Sequence, residues 1–504
     1  MAEKIVSPGV FTNEIDQSFL PAAAGPVGAA IVGPTVKGPV LEPTVVNSYG
    51  EYVRLFGELI ESGSETFQFL TSHTAKEYLR QGGPVTIVRV GGNDTTRATA
   101  NVDLTLHPSG SFNTIFTLEA LGDGPNFNNF VGTGSDLGAN QLLTPQVDSV
   151  TNRHLSSGSF GGRVDNFRWE VSSQNTSKGT FTLLIRQGDD TINQKTIIET
   201  HANLSLDPFS NDFILKRIGN QTNTIATEDG VAYLTPTGEF PNKSNYVRVS
   251  SLPPHRKTPN YLNKNGTVNA PYLGVETTFL PLIGSGSYGG AFGTINAHFN
   301  VATTVRSVQT RGDLGTNEIE FPFNFYDKIS ATQSQGIDLS VSNTVVGTGG
   351  YTTALSLLSN KDEYNFNLLV IPGIVDQQTD HTPIISQAIQ LCEDRGDCFL
   401  VYDNTNLTDT VATAKTNTEA RNSSYAAAYY PWVQIIDASN GNYRYVPPST
   451  VILGVFHFND VVGQPWFAPA GLNRGGIDSA VQAYRKLTQK NRDDLYESNV
   501  NPIA

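Results

Sequence analysis

The chain has 504 residues, more than one core usually supports, so several domains are expected. Its 33 basic residues stand against 47 acidic ones, a formal charge of −14 that argues against broad binding to nucleic acid or anionic membranes. Hydrophobic residues make up 38%, with 47 Gly and 27 Pro, a loop-rich, β-leaning but globular composition.

No apolar run reaches the roughly 18 residues of a transmembrane helix, and the N-terminal stretch lacks the basic-then-apolar pattern of a signal peptide. The only cysteines are Cys392 and Cys398. They make neither a disulfide framework nor a metal spacing, and the reading is two buried free thiols with a structural role. No cofactor or metal is expected.

In chain order, residues 1–20 read as an arm. Ile5, Val6, Val10 and Phe11 suit a strand that Pro8 and Gly9 interrupt. So short a strand must pair with a sheet, its own or a neighbour's. Residues 21–92 read as the first part of an α/β core. Ser48 and Glu51 predict a capped helix start, residues 65–81 a second helix ended by Gly82 and Gly83, and residues 84–90 a strand covered on both faces. Residues 93–345 change character. Short alternating segments between Gly, Asn and Ser turns predict a β-rich insertion, with a division into two subdomains near 252–270.

Residues 346–504 read as the rest of the core. An apolar strand over 365–373, a helix with Pro383 in its first turn and a strand over 398–403 predict a βαβ unit with a parallel pair. From Gly476 to about Val500, Ile477, Ala480, Val481, Tyr484, Leu487 and Leu495 fall at helical spacing and predict a long final helix. The fold class is therefore mixed α/β and multi-domain. Parallel strands with flanking helices form a core that a long β-rich insertion interrupts.

Three stretches invite a chemical reading. Gly284, Gly286 and Gly289 satisfy a dinucleotide-type glycine pattern, but Pro281 breaks the strand before them and a poor helix follows, so a β loop is the adopted reading. Asp376, Asp380 and His381 follow a strand end, where α/β folds place ligands. No second histidine lies near, and a structural reading is preferred. The basic residues from Arg485 to Arg492 are interleaved with acids and read as a solvated face or a subunit contact. No catalytic residue is assigned.

Proline-locked aromatics form the densest pattern. Tyr430, Pro431 and Trp432 are followed by Pro447 and Pro448, then by Trp466, Pro469, Gly471, Asn473 and Arg474. Rings held by prolines build rigid packed surfaces. In order and spacing this region resembles the hallmark of tail sheath proteins from contractile-tailed bacteriophages. The glycine pair before the strand over 84–90 and the Pro8-Gly9 arm match that family as well.

The resemblance implies a non-enzymatic structural subunit. It would polymerise with itself as stacked hexameric rings around a tail tube protein, with baseplate and tail terminator proteins as further partners. Contraction would drive the tube through the host envelope. The subunit would be made in the host cytoplasm and reside in the virion, with no nucleic-acid partner and no membrane insertion. The family continues beyond the point matching Ala504 into a further domain, so the chain reads as a piece of a longer protein. The alternative is a β-rich tail-spike or surface protein that binds or cleaves host glycans, for which paired carboxylates would be needed.

Overall fold

The computed structural model of the protein describes residues 28–62, 65–91, 97–103, 114–123, 167–187, 190, 194–228, 230–287, 329–335, 337–340, 347–438, 441–463 and 467–504. The expected arm residues Ile5, Val6, Pro8, Gly9, Val10 and Phe11 lie outside this set.

The first part of the core opens with β1 (Gly28–Gly33), buried along its whole length, and β2 (Thr44–Val46). Helix α1 (Tyr49–Phe56) starts where predicted: the Ser48 hydroxyl accepts the Glu51 N–H at 3.2 Å. The Glu51 carboxylate reaches back to the Asn47 N–H, one residue before the cap. A hairpin of β3 (Ile60–Ser62) and β4 (Glu65–Phe67) follows, then α2 (Leu70–Leu79) and β5 (Val85–Arg89). The helix predicted from residue 65 therefore begins five residues later. Residues 65–67 pair with β3, and Phe69 is extended at φ −68° and ψ 152°.

The insertion is β-rich. A three-stranded sheet holds β6 (Arg97–Asp103) and β7 (Thr114–Asp123), and a four-stranded sheet holds β8 (Phe167–Asn175), β9 (Thr180–Gln187) and β10 (Ile197–Ser205). A single turn, α3 (Ile214–Arg217), leads to the hairpin of β11 (Thr222–Glu228) and β12 (Val231–Thr237). Strand β13 (Val247–Ser251) completes the first sheet beside β7, and β14 (Gly284–Ser287) completes the second beside β8. Both sheets share one apolar core, with Phe116 stacked on Phe181 at 5.8 Å. Gly284 and Gly286 thus lie in an antiparallel strand and not at a strand-to-helix turn; Gly289 is outside the described residues.

The insertion is not a free appendage. Ile225, Ala232 and Leu234 of the β11–β12 hairpin pack against the α/β core, and the Ala232 N–H donates to Ser356 Oγ at 2.9 Å.

Three short strands, β15 (Ile329–Ser330), β16 (Gln333–Ser334) and β17 (Ile337–Asp338), bring the chain back. They already belong to the core. Ile337 and Leu339 are fully enclosed in it, and Ser334 Oγ donates to Gly373 O at 2.7 Å. The chain has rejoined the α/β unit by residue 329, ahead of the boundary expected at 345.

Then come α4 (Gly347–Leu357), β18 (Phe366–Val375), α5 (Thr382–Arg395), β19 (Phe399–Asp403), α6 (Val411–Glu419) and β20 (Ala426–Tyr430). Strands β21 (Val433–Ile436) and β22 (Tyr443–Val446) lead to α7 (Ser449–Val462), and the chain finishes with β23 (Ala480–Ala483), α8 (Gln489–Glu497) and β24 (Val500–Pro502).

The central sheet runs β2-β5-β1-β18-β19-β20-β24. All neighbours are parallel except β2, which runs antiparallel on β5. Alternation along the strands divides the core between the two faces. Ala29, Ile31 and Val370 face α1, α2 and α7, whereas Ala30, Val32 and Leu369 face α4 and α5.

The long C-terminal helix expected from residue 476 is not formed. Residues 480–483 pair with β21, and Thr488 starts α8 with a capping box closed by Asn491. Asn499 adopts φ 60°, and β24 then pairs in parallel with β20. The residues satisfy a strand period over 480–483 as well as a helical one, and the open edge of β21 supplies the backbone partners that select the strand.

Candidate assembly surface

The aromatic hallmark spans two environments. Its first part lies at the C-terminal ends of the parallel strands. Tyr430 ends β20 and Trp432 precedes β21, joined through a cis Tyr430–Pro431 peptide bond. Trp432 is buried and its Nε1 donates to Thr405 O at 2.8 Å; Tyr430 is buried and its hydroxyl donates to Asp409 O at 2.8 Å. Both rings therefore satisfy their one polar group inside the protein. Pro447 and Pro448 are buried too, and Pro448 stands at the N-terminal cap of α7.

Helix α7 was not foreseen, although a proline before the apolar stretch from Val451 to Phe456 is a fair signal of a start. It lies against α2 so closely that a Cβ at Gly454 would meet Glu77 O at 2.9 Å. Its first residue, Ser449, gives Asp403 two hydrogen bonds: N–H at 3.0 Å and Oγ at 2.6 Å. Burial nevertheless dominates at Asp403 and pushes its carboxyl up to about 7, against the Ser449 and Gly373 donors.

The residues after β18 are structural as well. Asp376 is buried and receives both Arg421 Nη2 and Nε, at 2.6 and 2.7 Å. His381 is enclosed. Its Nδ1 accepts the Val375 N–H at 3.0 Å, and its Nε2 faces Ser330 O at 2.9 Å and Gln333 O at 3.1 Å. Burial pulls this imidazole down to about 4, which keeps it neutral and able to donate to those carbonyls. Asp380 binds Ala331 O through its backbone N–H. His381 and Asp380 thus stitch the returning segment to the core, and Asp376 pairs with Arg421 inside the core.

The second part of the hallmark is at the surface. Pro465 and Trp466 are outside the described residues. Phe467 follows α7 and is anchored by Asn459 Nδ2, which donates to its carbonyl at 2.8 Å. The Arg474 guanidinium sits over the Phe467 ring at 4.5 Å. Between them Pro469 is half-buried, Gly471 and Asn473 are exposed, and Leu472 is 100% exposed. Val461 and Val462, at the adjoining end of α7, are also exposed. Leu472, Phe467, Val461 and Val462 are thus large apolar side chains left to solvent in this part of the chain. Sequence reasoning gave Leu472 no role, though it lies within the hallmark. Of the C-terminal basic residues, Lys486, Lys490 and Arg492 are exposed.

A buried α/β platform thus carries an exposed loop. Residues 344–504 match the family described as the phage tail sheath protein central domain. Over that part, less than half of its length, the chain is similar to the tail sheath proteins, structural components of phage tails.

It is 38% identical over 68 residues to the tail sheath protein of Vibrio phage KVP40, and 37% over 68 residues to that of Enterobacteria phage T4. Each stretch is 14% of this chain and 10% of the relative, so the match spans about a tenth of those relatives' length. Among solved structures, a sheath tail protein from Listeria innocua aligns with TM-score 0.45 and 10% identity, over 95% of this chain and 66% of that one. A sheath tail protein from Desulfitobacterium hafniense aligns with TM-score 0.39 and 10% identity, over 97% and 70%.

Proposed function

We propose that the chain is the subunit of a contractile tail sheath. It polymerises with itself as stacked hexameric rings around a tail tube protein, meets baseplate and terminator proteins at the two ends, and drives the tube through the host envelope on contraction. Assembly takes place in the host cytoplasm. The observation that carries this reading is the sheath central-domain match over residues 344–504, whose exposed loop at 467–474 lies on a rigid α/β platform. Rigid bodies that change neighbours at their surfaces suit a polymer with two packed states. Within the same reading, the insertion between β5 and β15 is outer decoration, and residues 5–11 are an arm that adds a strand to a neighbouring subunit. Strand addition uses main-chain hydrogen bonds and tolerates rotation between bodies. No step in this function asks for catalysis or a cofactor.

The test is electron microscopy of the protein co-expressed with a tail tube protein from a contractile phage. Rings or striated tubes are the expected result. A species that stays monomeric at every concentration and salt condition overturns the reading.

A further inference from the structure

Cys392 and Cys398 are the two cysteines of the whole chain, and the fold turns them toward each other. Cys392 lies in the last turn of α5, and Cys398 sits immediately before β19. Between them the helix closes on Gly396 at φ 69°, whose N–H donates to Cys392 O at 2.8 Å. The two sulfurs come to 3.4 Å, with Cys392 fully buried and Cys398 4% exposed. A disulfide needs about 2.0 Å, so closing the gap asks for small side-chain rotations and no rearrangement of the sheet.

The turn is held from several sides. Arg395 binds Asp397 at 2.9 and 3.0 Å and donates to Leu358 O and Tyr364 O, and its guanidinium covers the Phe366 ring at 4.3 Å. The Asp397 side chain is 44% exposed, so the turn itself reaches the surface and a local opening is enough to admit a small reagent.

We propose that Cys392 and Cys398 form a reversible intramolecular disulfide, made by thiol–disulfide exchange with a small-molecule disulfide when the protein leaves a reducing compartment. Cys398 loses its proton to water and attacks one sulfur of the small disulfide, forming a mixed disulfide and releasing one small thiolate. Cys392 then loses its proton and attacks the Cys398 sulfur, releasing the second thiolate. The two released thiolates take up two protons. The dithiol is oxidised by two electrons and the small disulfide is reduced to two thiols. Contact with Cys392 and the Arg395 charge act to lower the Cys398 thiol, which suits it to the first attack, whereas that contact and burial raise Cys392. The bond ties the end of α5 to the start of β19, a covalent brace across one edge of the βαβ unit.

The test uses the full chain, folded, incubated with excess oxidised glutathione at neutral pH and read by intact mass and maleimide labelling. The expected product has lost two hydrogens, carries no glutathione, resists maleimide until dithiothreitol is added, and keeps its circular dichroism. Cys392→Ser is expected to stop at a stable glutathione adduct on Cys398. Folded parent protein that keeps both thiols while a urea-unfolded sample oxidises overturns the proposal. So does a folded parent that accumulates a stable glutathione adduct.

Discussion

Residues 430–449 and residues 467–474 carry one sequence hallmark into opposite surroundings. In the first, the two rings of the hallmark and the start of the following helix are enclosed: Trp432 on Thr405 O, Tyr430 on Asp409 O, Ser449 on Asp403. In the second, Leu472 is wholly exposed, and the ring of Phe467 has the Arg474 guanidinium over it. Burial makes the first stretch a matter of stability. Exposure leaves the second nearly free of folding energy and available to another chain. A dense motif is therefore not one site. It is a platform and what the platform presents.

The sharpest break of this comparison is Trp432→Ala. Loss of a buried indole and its hydrogen bond is expected to cost about 3–5 kcal/mol in urea denaturation. A cost like that of a surface substitution would show that the first stretch is not the anchor.

Next in size is the pH response of Asp403. Its folded carboxyl lies above the unfolded value, so its contribution is complete below pH 3.8 and is lost as pH rises through about 7. His381 acts oppositely: its contribution is present above pH 6.5 and is lost as pH falls through about 4. Comparing Asp403→Asn with the parent cancels the histidine. The asparagine variant should gain on the parent between pH 4 and 7, by at most about 4 kcal/mol. Parallel stability curves for the two proteins would remove burial as the controlling effect at this carboxyl.

Tyr430→Phe probes one hydroxyl in the same enclosure. It removes the donor to Asp409 O and should cost about 1 kcal/mol with the fold intact. A neutral result in thermal and urea unfolding would mean that water replaces the bond at no cost.

Smallest in stability, and most telling for function, is Leu472→Asp. Unfolding should move by no more than about 0.5 kcal/mol, because the side chain touches little in the free chain. Assembly with a tail tube protein, scored by electron microscopy, should fall sharply. Normal tubes from this variant would leave the exposed loop without its proposed role.

Much of the element pattern could be read from the residues themselves. Short-range rules suffice where the partner is local: Ser48 capping α1, Pro383 in the first turn of α5, and continuous apolar runs in β5, β18 and β19. The mixed α/β character follows from these, because period and capping act within a few residues.

The tertiary structure alone decided the rest, and the reason is distance along the chain. Helix α2 starts at Leu70, though Phe69 offers no capping side chain. Its acceptor is Gln335 Oε1, 2.7 Å from the Leu70 N–H and 265 residues away. The same amide donates to Pro372 O at 2.9 Å, which binds the returning segment into the core and moves the boundary of the insertion. Residues 476–500 fit a helix by spacing. They became strand, helix and strand because β21 and β20 offered open edges to pair with. Which part of the hallmark is buried was likewise set by packing: Trp432 shares a core with residues of α7, Tyr430 shares one with residues of α6, α8 and β24, and nothing among the described residues covers Leu472. Backbone and side-chain partners supplied from far away in sequence leave no local pattern, so no window of residues could have shown them.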